Sequence, residues 1–224
     1  MRMHRHLSSM ARLVVFGASG ATGRPLVAQA LAAGHDVTAF VRNAATAPAG
    51  ARVVSGDVLD AAAVDAAVAG HDVIVSALGH RRRAARNPWS RDLSPPDLMA
   101  RATTHLVDAA RRHRVGRLLY VGVHGCGDSR AHTGWLYRYL VERTTIGIAL
   151  ADFNVAERML ADSGREWLVA RPVTLVDGAA NGRCRVRDDR IGSLATIRRA
   201  DVAAFLLAHI AGPIATRTPS IAAS

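Results

Sequence analysis

The stretch Leu13-Val14-Val15-Phe16-Gly17-Ala18-Ser19-Gly20-Ala21-Thr22-Gly23-Arg24 runs from an apolar strand through three glycines into a helix-forming segment. A turn this tight needs backbone angles that glycine adopts without strain, which assigns Gly17 to the corner. Gly20 leaves the main chain bare so that a pyrophosphate can approach it, and Gly23 lets the helix pack close against the strand. The helix, expected from about Ala21 to Ala33, would direct unpaired N–H groups and the positive end of its dipole at that pyrophosphate. Nucleotide binding is therefore the leading expectation.

The glycines are spaced Gly-x-x-Gly-x-x-Gly rather than Gly-x-Gly-x-x-Gly. A second strand, Asp36-Val37-Thr38-Ala39-Phe40-Val41, follows the helix after Gly34-His35 and completes a β-α-β unit. It ends in Arg42-Asn43. An acid at this place would hold a ribose 2′-hydroxyl, whereas an arginine suits a 2′-phosphate, so NADP(H) is the expected cofactor. The alternative for Arg42 is a solvated arginine at a strand end.

The chain has 224 residues, of which 50% are hydrophobic, which matches one compact α/β domain over residues 11–224 preceded by a short disordered extension, 1–10. No apolar run approaches the roughly eighteen residues of a membrane span, and the basic start lacks the apolar core of a secretion signal. Cys126 and Cys184 are too few for a disulfide framework and show no metal-ligand spacing, so a cytoplasmic protein without a metal is expected. The net charge is +11, and all 29 basic residues are arginine. They cluster at Arg81-Arg82-Arg83 with Arg86, and at Arg111-Arg112 with Arg114 and Arg117. The second cluster ends a helix, where cations complement the dipole, and no aromatic residues interleave to stack on bases. A small molecule rather than a nucleic acid is the expected partner. Without lysine, Schiff-base chemistry and lysine acid/base catalysis are excluded.

Further strands are expected at 51–58, 72–79, 117–123 and 167–170, with Pro172 stopping the last. Helices are expected at about 60–69, 96–113, 135–143, 152–162 and 200–210. A short strand near 184–187 and an edge strand within 212–224 would complete the chain. This alternation implies a Rossmann-type, doubly wound parallel sheet in a single α/β domain, with a small C-terminal substrate-side region. The segment His80 to Ser94 is long enough for a lid, and with Pro88, Trp89, Pro95 and Pro96 it would supply an apolar wall over an acceptor.

Taken together, Gly17 to Arg24, Val41-Arg42-Asn43, Gly56-Asp57-Val58, Ser76-Ala77-Leu78-Gly79, Ala156 to Gly164 and Arg171-Pro172-Val173 resemble the atypical short-chain dehydrogenase/reductase group. More narrowly, they are similar to its NmrA-like and biliverdin-IXβ-reductase/flavin-reductase-like NAD(P)H-binding members. The resemblance implies that Gly17, Ser19, Gly20, Ala21, Thr22 and Gly23 hold the pyrophosphate and Arg42 the 2′-phosphate. It places Asp57 and Val58 beside the adenine, Ser76, Ala77, Leu78 and Gly79 along the ribose, and Val173 at the nicotinamide. Read locally, Asp57 could equally cap a turn and Ser76 satisfy a strand end.

The catalytic half departs from the pattern. Many relatives carry a tyrosine four residues before a lysine whose ammonium lowers the phenol pKa. With Glu157 aligned to the acid that follows that lysine, Phe153 and Ala149 occupy the two positions, and neither moves a proton. Tyr139 and Arg143 keep the spacing one helical turn apart, either as a phenol with a cationic neighbour or, with Trp135, as an ordinary packed face. His124 follows the fifth strand where a serine is expected, as a titratable group or as a polar loop residue. Glu157 would bind substrate or pair with an arginine; Tyr137 and Asp152 are weaker candidates. The expected function is an NADPH-dependent reductase of a small conjugated or carbonyl acceptor (flavin, quinone, enone or ketone) that works without a Tyr/Lys pair. A non-catalytic NADP-sensing partner protein is the alternative, and a nucleotide-sugar epimerase fits less well.

Overall fold

The computed structural model describes residues 10–84, 87, 89–187, 189, 191–192 and 194–223. The expected extension up to residue 9, Arg86 of the basic cluster and Pro88 of the loop lie outside the described residues. The first half alternates except where only a 3-10 turn, Ala44–Thr46, separates β2 from β3: β1 (Arg12–Phe16), α1 (Gly23–Ala32), β2 (Asp36–Val41), β3 (Arg52–Ser55), α2 (Ala61–Val68), β4 (Val73–Ser76), α3 (Leu98–Arg112) and β5 (Arg117–Val121). Then come α4 (Trp135–Glu142), α5 (Thr145–Ala161), β6 (Glu166–Pro172), β7 (Thr174–Val176), β8 (Cys184–Arg187), β9 (Thr196–Arg198), α6 (Arg199–Leu207) and β10 (Ser220–Ala223). The main sheet has the order β3-β2-β1-β4-β5-β6-β10-β8, and β7 pairs with β9 in a small separate sheet. Every pairing in the main sheet is parallel except that of β10 with β8. The order reverses between β1 and β4, which opens a crevice at the carboxyl ends of these strands.

The central strands are apolar on both faces because helices cover both faces. Leu13 and Val15 pack with Leu26, Val27 and Ala30 of α1 and with Val202 and Leu206 of α6. Val14 and Phe16 face the other way, toward Val64 and Val68 of α2 and Leu106 and Ala110 of α3. Each such fully buried Leu, Val or Phe side chain stabilises the fold by about 1.5–3 kcal/mol. A third cluster, Met99, Cys126, Val141, Leu150, Phe153 and Ala156, lies under α4 and α5 and joins the substrate-side region to α3.

Three sequence expectations are corrected. Pro172 ends β6 from within: its carbonyl accepts from His124 N–H at 3.0 Å, so its missing N–H falls at the last rung on the β5 side. The final strand is interior, because β10 lies between β6 and β8 and takes the N–H groups around β6. Val169, Arg171 and Val173 donate to Arg217, Pro219 and Ile221 carbonyls at 2.8, 2.9 and 3.1 Å. Helix α5 begins at Thr145, seven residues before the expected start, with Thr144 as its N-cap (Oγ1 to Ile146 N–H, 3.4 Å).

Two histidines brace the amino ends of the strands. His35 is buried and its Nδ1 accepts from Ala11 N–H at 3.3 Å, which requires that nitrogen to be unprotonated. His71 Nε2 lies 2.8 Å from Thr38 Oγ1. Burial lowers both below the ordinary 6.5. The folded chain therefore resists protonating them, so their contribution to stability is present above pH 6.5 and is lost as pH falls toward their folded values. Urea midpoints should drop between pH 7.5 and 5, and the slope should flatten in His35→Gln; an unchanged slope would refute the assignment. At the turn after α3, Arg114 holds φ +56°. A left-handed conformation costs a non-glycine residue about 1 kcal/mol, so Arg114→Gly is expected to raise the thermal midpoint by a few degrees.

Candidate active site

The glycine turn is built by contacts that admit no side chain. Gly17 has φ +75°, and a Cβ there would lie 2.6 Å from the Ala77 carbonyl oxygen at the end of β4. A Cβ on Gly23 would lie 2.1 Å from the Gly17 oxygen. Gly20 differs: it is exposed, and its Cβ would approach only the Gly17 oxygen, at 3.1 Å. Its outer side is thus left bare for a ligand. Helix α1 starts at Gly23, later than expected, because Ala21 and Thr22 belong to the turn; Thr22 stands at the N-cap without a side-chain hydrogen bond. No carboxylate competes in the first turn of α1 for an anion bound at the dipole's positive end.

The neighbouring residues match this cradle. Arg42, just past β2, is exposed and makes no side-chain hydrogen bond among the described residues. Arg24 ties the glycine loop to the segment after Arg42, donating to Ser19 O at 3.1 Å and Thr46 O at 2.9 Å. An arginine in the first turn of a helix opposes the dipole, which was a signal in the sequence that Arg24 had a tertiary partner. Asp57 is exposed and its Oδ1 accepts from Leu59 N–H at 3.0 Å, the turn-capping arrangement, while Val58 is buried beside it. At the end of β4, Ser76 is fully buried and its Oγ has no hydrogen-bond partner, and a Cβ on Gly79 would meet nothing. An open cradle, a free guanidinium and an orphaned hydroxyl along one crevice fit a nicotinamide dinucleotide.

Beyond β5 the chain enters Gly122-Val123-His124-Gly125-Cys126-Gly127, in which Gly125 and Gly127 take φ +102° and +53°. His124 Nδ1 lies 3.0 Å from Ser220 Oγ, and its Nε2 is enclosed without a partner. Burial lowers its pKa, helped by the nearby His132 and Arg171 charges. Tyr137 donates from its hydroxyl to His124 O at 3.2 Å, and burial pushes its pKa up to about 12. Gly125, Tyr137, Val141, Leu150 and Asn154 help line a cavity of about 310 Å3 between this loop, α4 and α5.

Under the loop sits a buried guanidinium. Arg171 Nε and an Nη donate to the two Glu157 carboxylate oxygens at 3.0 and 2.6 Å, and its other Nη pairs with Asp128. Burial disfavours the Arg171 charge, but the Glu157 and Asp128 carboxylates outweigh it and raise the pKa. Of the expected catalytic residues, His124 and Glu157 thus share the Arg171 neighbourhood, with Glu157 occupied by the ion pair rather than presented to substrate. Tyr139 is not brought to them: it is 51% exposed on α4, with the Arg143 guanidinium 5.2 Å from its ring centre. Val173 follows β6 and donates its N–H to Ile221 O at 3.1 Å.

The loop from His80 to Ser94 is pinned as a hairpin. Arg82 and Asp92 form an antiparallel bridge, and Arg83 and Leu93 N–H donate to Arg91 and Arg81 carbonyls at 3.0 and 2.7 Å. His80, missed by sequence reasoning, is the pin: Nδ1 lies 2.7 Å from Asp92 Oδ2 and Nε2 lies 2.8 Å from Asp152 Oδ2. Ionised carboxylates only accept, so both contacts are hydrogen bonds when the ring carries a proton on each nitrogen. Asp152 also accepts from Met99 and Ala100 N–H at 2.6 and 2.9 Å, capping α3 from a distance because Asp97 makes no cap bond. Trp89 stands 64% exposed on this hairpin. Among the described residues no cluster of His, Cys, Asp and Glu is arranged to hold a metal, and no helix is long and apolar enough to cross a membrane.

A sequence-family model described as NAD(P)H-binding matches residues 17–213. The chain belongs to the NAD(P)H-binding family. A Streptomyces protein, 3-diazoavenalumate denitrifying reductase, is 41% identical over 110 residues, 48% of this chain and 36% of that protein. The match thus spans about a third of that relative's length. Among solved structures, the anaerobilin reductase ChuY of Escherichia coli O157:H7 is 27% identical with a TM-score of 0.75, over 94% of this chain and 96% of that one. A Veillonella parvula short-chain dehydrogenase/reductase in complex with NADP shares the Rossmann fold, with a TM-score of 0.73 at 15% identity over 94% of each chain.

Removing the Asp152 carboxylate strands a buried His80 and two α3 N–H groups. Asp152→Ala should therefore cost about 3–5 kcal/mol of stability. It should also speed proteolytic cleavage within 81–94; a hairpin as resistant as that of the wild type would refute the pinning role.

Proposed function

We propose that the chain is an NADPH-dependent reductase that passes hydride to a small conjugated or carbonyl acceptor, with no Tyr/Lys pair. The observation that carries this reading is the 310 Å3 cavity lined in part by Gly125, on the loop that leaves the carboxyl end of β5, the same end of the sheet as the glycine turn. In this reading the bare turn at Gly17, Ser19, Gly20, Ala21, Thr22 and Gly23 holds the pyrophosphate, and Arg42 takes the 2′-phosphate. Asp57 and Val58 flank the adenine. Ser76 Oγ, Ala77, Leu78 and Gly79 line the ribose, and the main chain at Val173 closes over the nicotinamide. A bound nicotinamide supplies a hydride when reduced.

The protein's own groups orient the acceptor, and they are poorly placed to move protons. Tyr137 keeps its proton on the His124 carbonyl, the His124 ring is held by Ser220 with Nε2 enclosed, and both Glu157 oxygens are committed to Arg171. An acceptor reduced at a conjugated position takes its proton from solvent, so such substrates are compatible with this wall. The engagement of Tyr137 and Glu157, and the distance of Tyr139 from them, favour a second reading, a nucleotide-binding regulatory protein without turnover. The two relatives named as reductases support the first.

Fluorescence titration with NADPH and NADH, in wild type and Arg42→Ala, tests the cofactor assignment. A lost charge-assisted contact is worth about 1.5–3 kcal/mol, so the variant should bind NADPH more than tenfold weaker while NADH is little changed. Equal losses for both nucleotides would refute the 2′-phosphate role. Oxidation of bound NADPH by quinones, flavins or enones separates the enzyme from the regulator.

A further inference from the structure

The hairpin that follows β4 has two unlike faces. In an antiparallel pair, opposed residues share a face and successive residues alternate between faces. The Arg82–Asp92 bridge therefore puts Arg81 with Leu93, and Arg83 with Arg91, on the face opposite Asp92. Asp92 is turned inward, where His80 holds it. It is the only acid between His80 and Ser94, so the outer face carries no carboxylate of the hairpin. Arg81, Arg83, Arg91 and Leu93 are all exposed, and the three guanidiniums make no hydrogen bond or ion pair among the described residues.

Apolar side chains stand exposed on the same hairpin and on the helix it touches. Trp89 is at the turn, and the turn is fastened to the start of α5 by Thr145 Oγ1, which donates to Ser90 O at 3.1 Å. One helical turn further along α5, Ile148 is 48% exposed, and Leu93 is 53% exposed. Arginines beside tryptophan and aliphatic groups are the composition of segments that rest on a bilayer: the apolar groups enter the acyl boundary while the long arginine stems carry their charge out to the phosphates. Two other occupants fit less well. A second copy of the chain, docked about a two-fold axis, would set the same guanidiniums against each other. A single-stranded nucleic acid could stack on Trp89, but Leu93 and Ile148 offer its bases no π face.

We propose that this face docks the protein on anionic lipid bilayers, with Trp89, Leu93 and Ile148 entering the headgroup boundary and Arg81, Arg83 and Arg91 on the lipid phosphates. The net charge of +11 draws the whole chain toward such a surface, and the hairpin decides which side lands on it. The docking is peripheral and requires no spanning helix.

Sedimentation with vesicles of equal parts phosphatidylglycerol and phosphatidylcholine, and with vesicles of phosphatidylcholine alone, tests it. The protein should sediment with the anionic vesicles only. Each arginine at an anionic surface contributes about a fivefold factor, so replacing Arg81, Arg83 and Arg91 together by Gln should weaken binding about a hundredfold. Replacing Arg52, Arg183 and Arg185 by Gln removes the same charge from exposed positions elsewhere and should cost far less. Bilayers with brominated acyl chains should quench tryptophan fluorescence; Trp89→Leu, which keeps an apolar anchor, should still bind and lose most of that quenching. No sedimentation, equal sedimentation with both vesicles, equal weakening by the two triple replacements, or quenching that survives Trp89→Leu would each overturn the proposal. A single-stranded oligonucleotide bound through the three hairpin arginines, with anionic vesicles left unbound, would overturn it in favour of a nucleic-acid surface.

Discussion

The close approach of the first turn to the end of β4 is the constraint on which the remaining architecture depends. Gly17 meets the Ala77 carbonyl and Gly23 meets Gly17 at distances that leave no space for a methyl group. Because the turn is that tight, α1 starts directly above the sheet and its amino end opens over the gap between β1 and β4. A larger residue at either position would push the helix off the strand and fill the crevice. Packing and ligand binding are therefore one requirement at this point, and the exposed Gly20 serves only the second.

The opposite half of the crevice is organised by buried charge. Asp152 joins three elements: α5 carries it, α3 begins on it, and the hairpin after β4 hangs from it through His80. Arg171 does the same for β6, α5 and the loop after β5 through Glu157 and Asp128. Burying such groups is costly unless each is paired, and here they are, so these contacts specify geometry more than they add stability. They also explain why the candidate proton donors are occupied: the acids expected at the reacting centre hold the walls of the pocket.

The fold was legible because the central strands are apolar on both faces and each is followed by a helix, a pattern that only a covered parallel sheet satisfies. The cradle was legible because Gly17, Gly20 and Gly23 lie within seven residues of each other. The first turns of α5 were not: Thr144-Thr145-Ile146-Gly147-Ile148 is rich in β-branched residues and contains a glycine, and its helix is imposed by packing of Ile146 and Leu150 in the third cluster. Nor were His80 with Asp152, 72 residues apart, or His124 with Ser220, 96 apart, because no local period marks such partners. Glu157 and Arg171 lie only 14 residues apart, yet one is on α5 and the other on β6 beyond a turn, and their pairing follows from α5 folding back over β6.

The interior position of β10 has a consequence for how the chain acquires its structure. Strand β6 is made about fifty residues before the segment that covers its outer side, and in the interval the N–H groups of Val169, Arg171 and Val173 face no partner strand. Such an open edge is a template for pairing with another chain. During synthesis the nascent protein thus passes through a stage at which the first half has its strands complete while the edge of β6 remains prone to association.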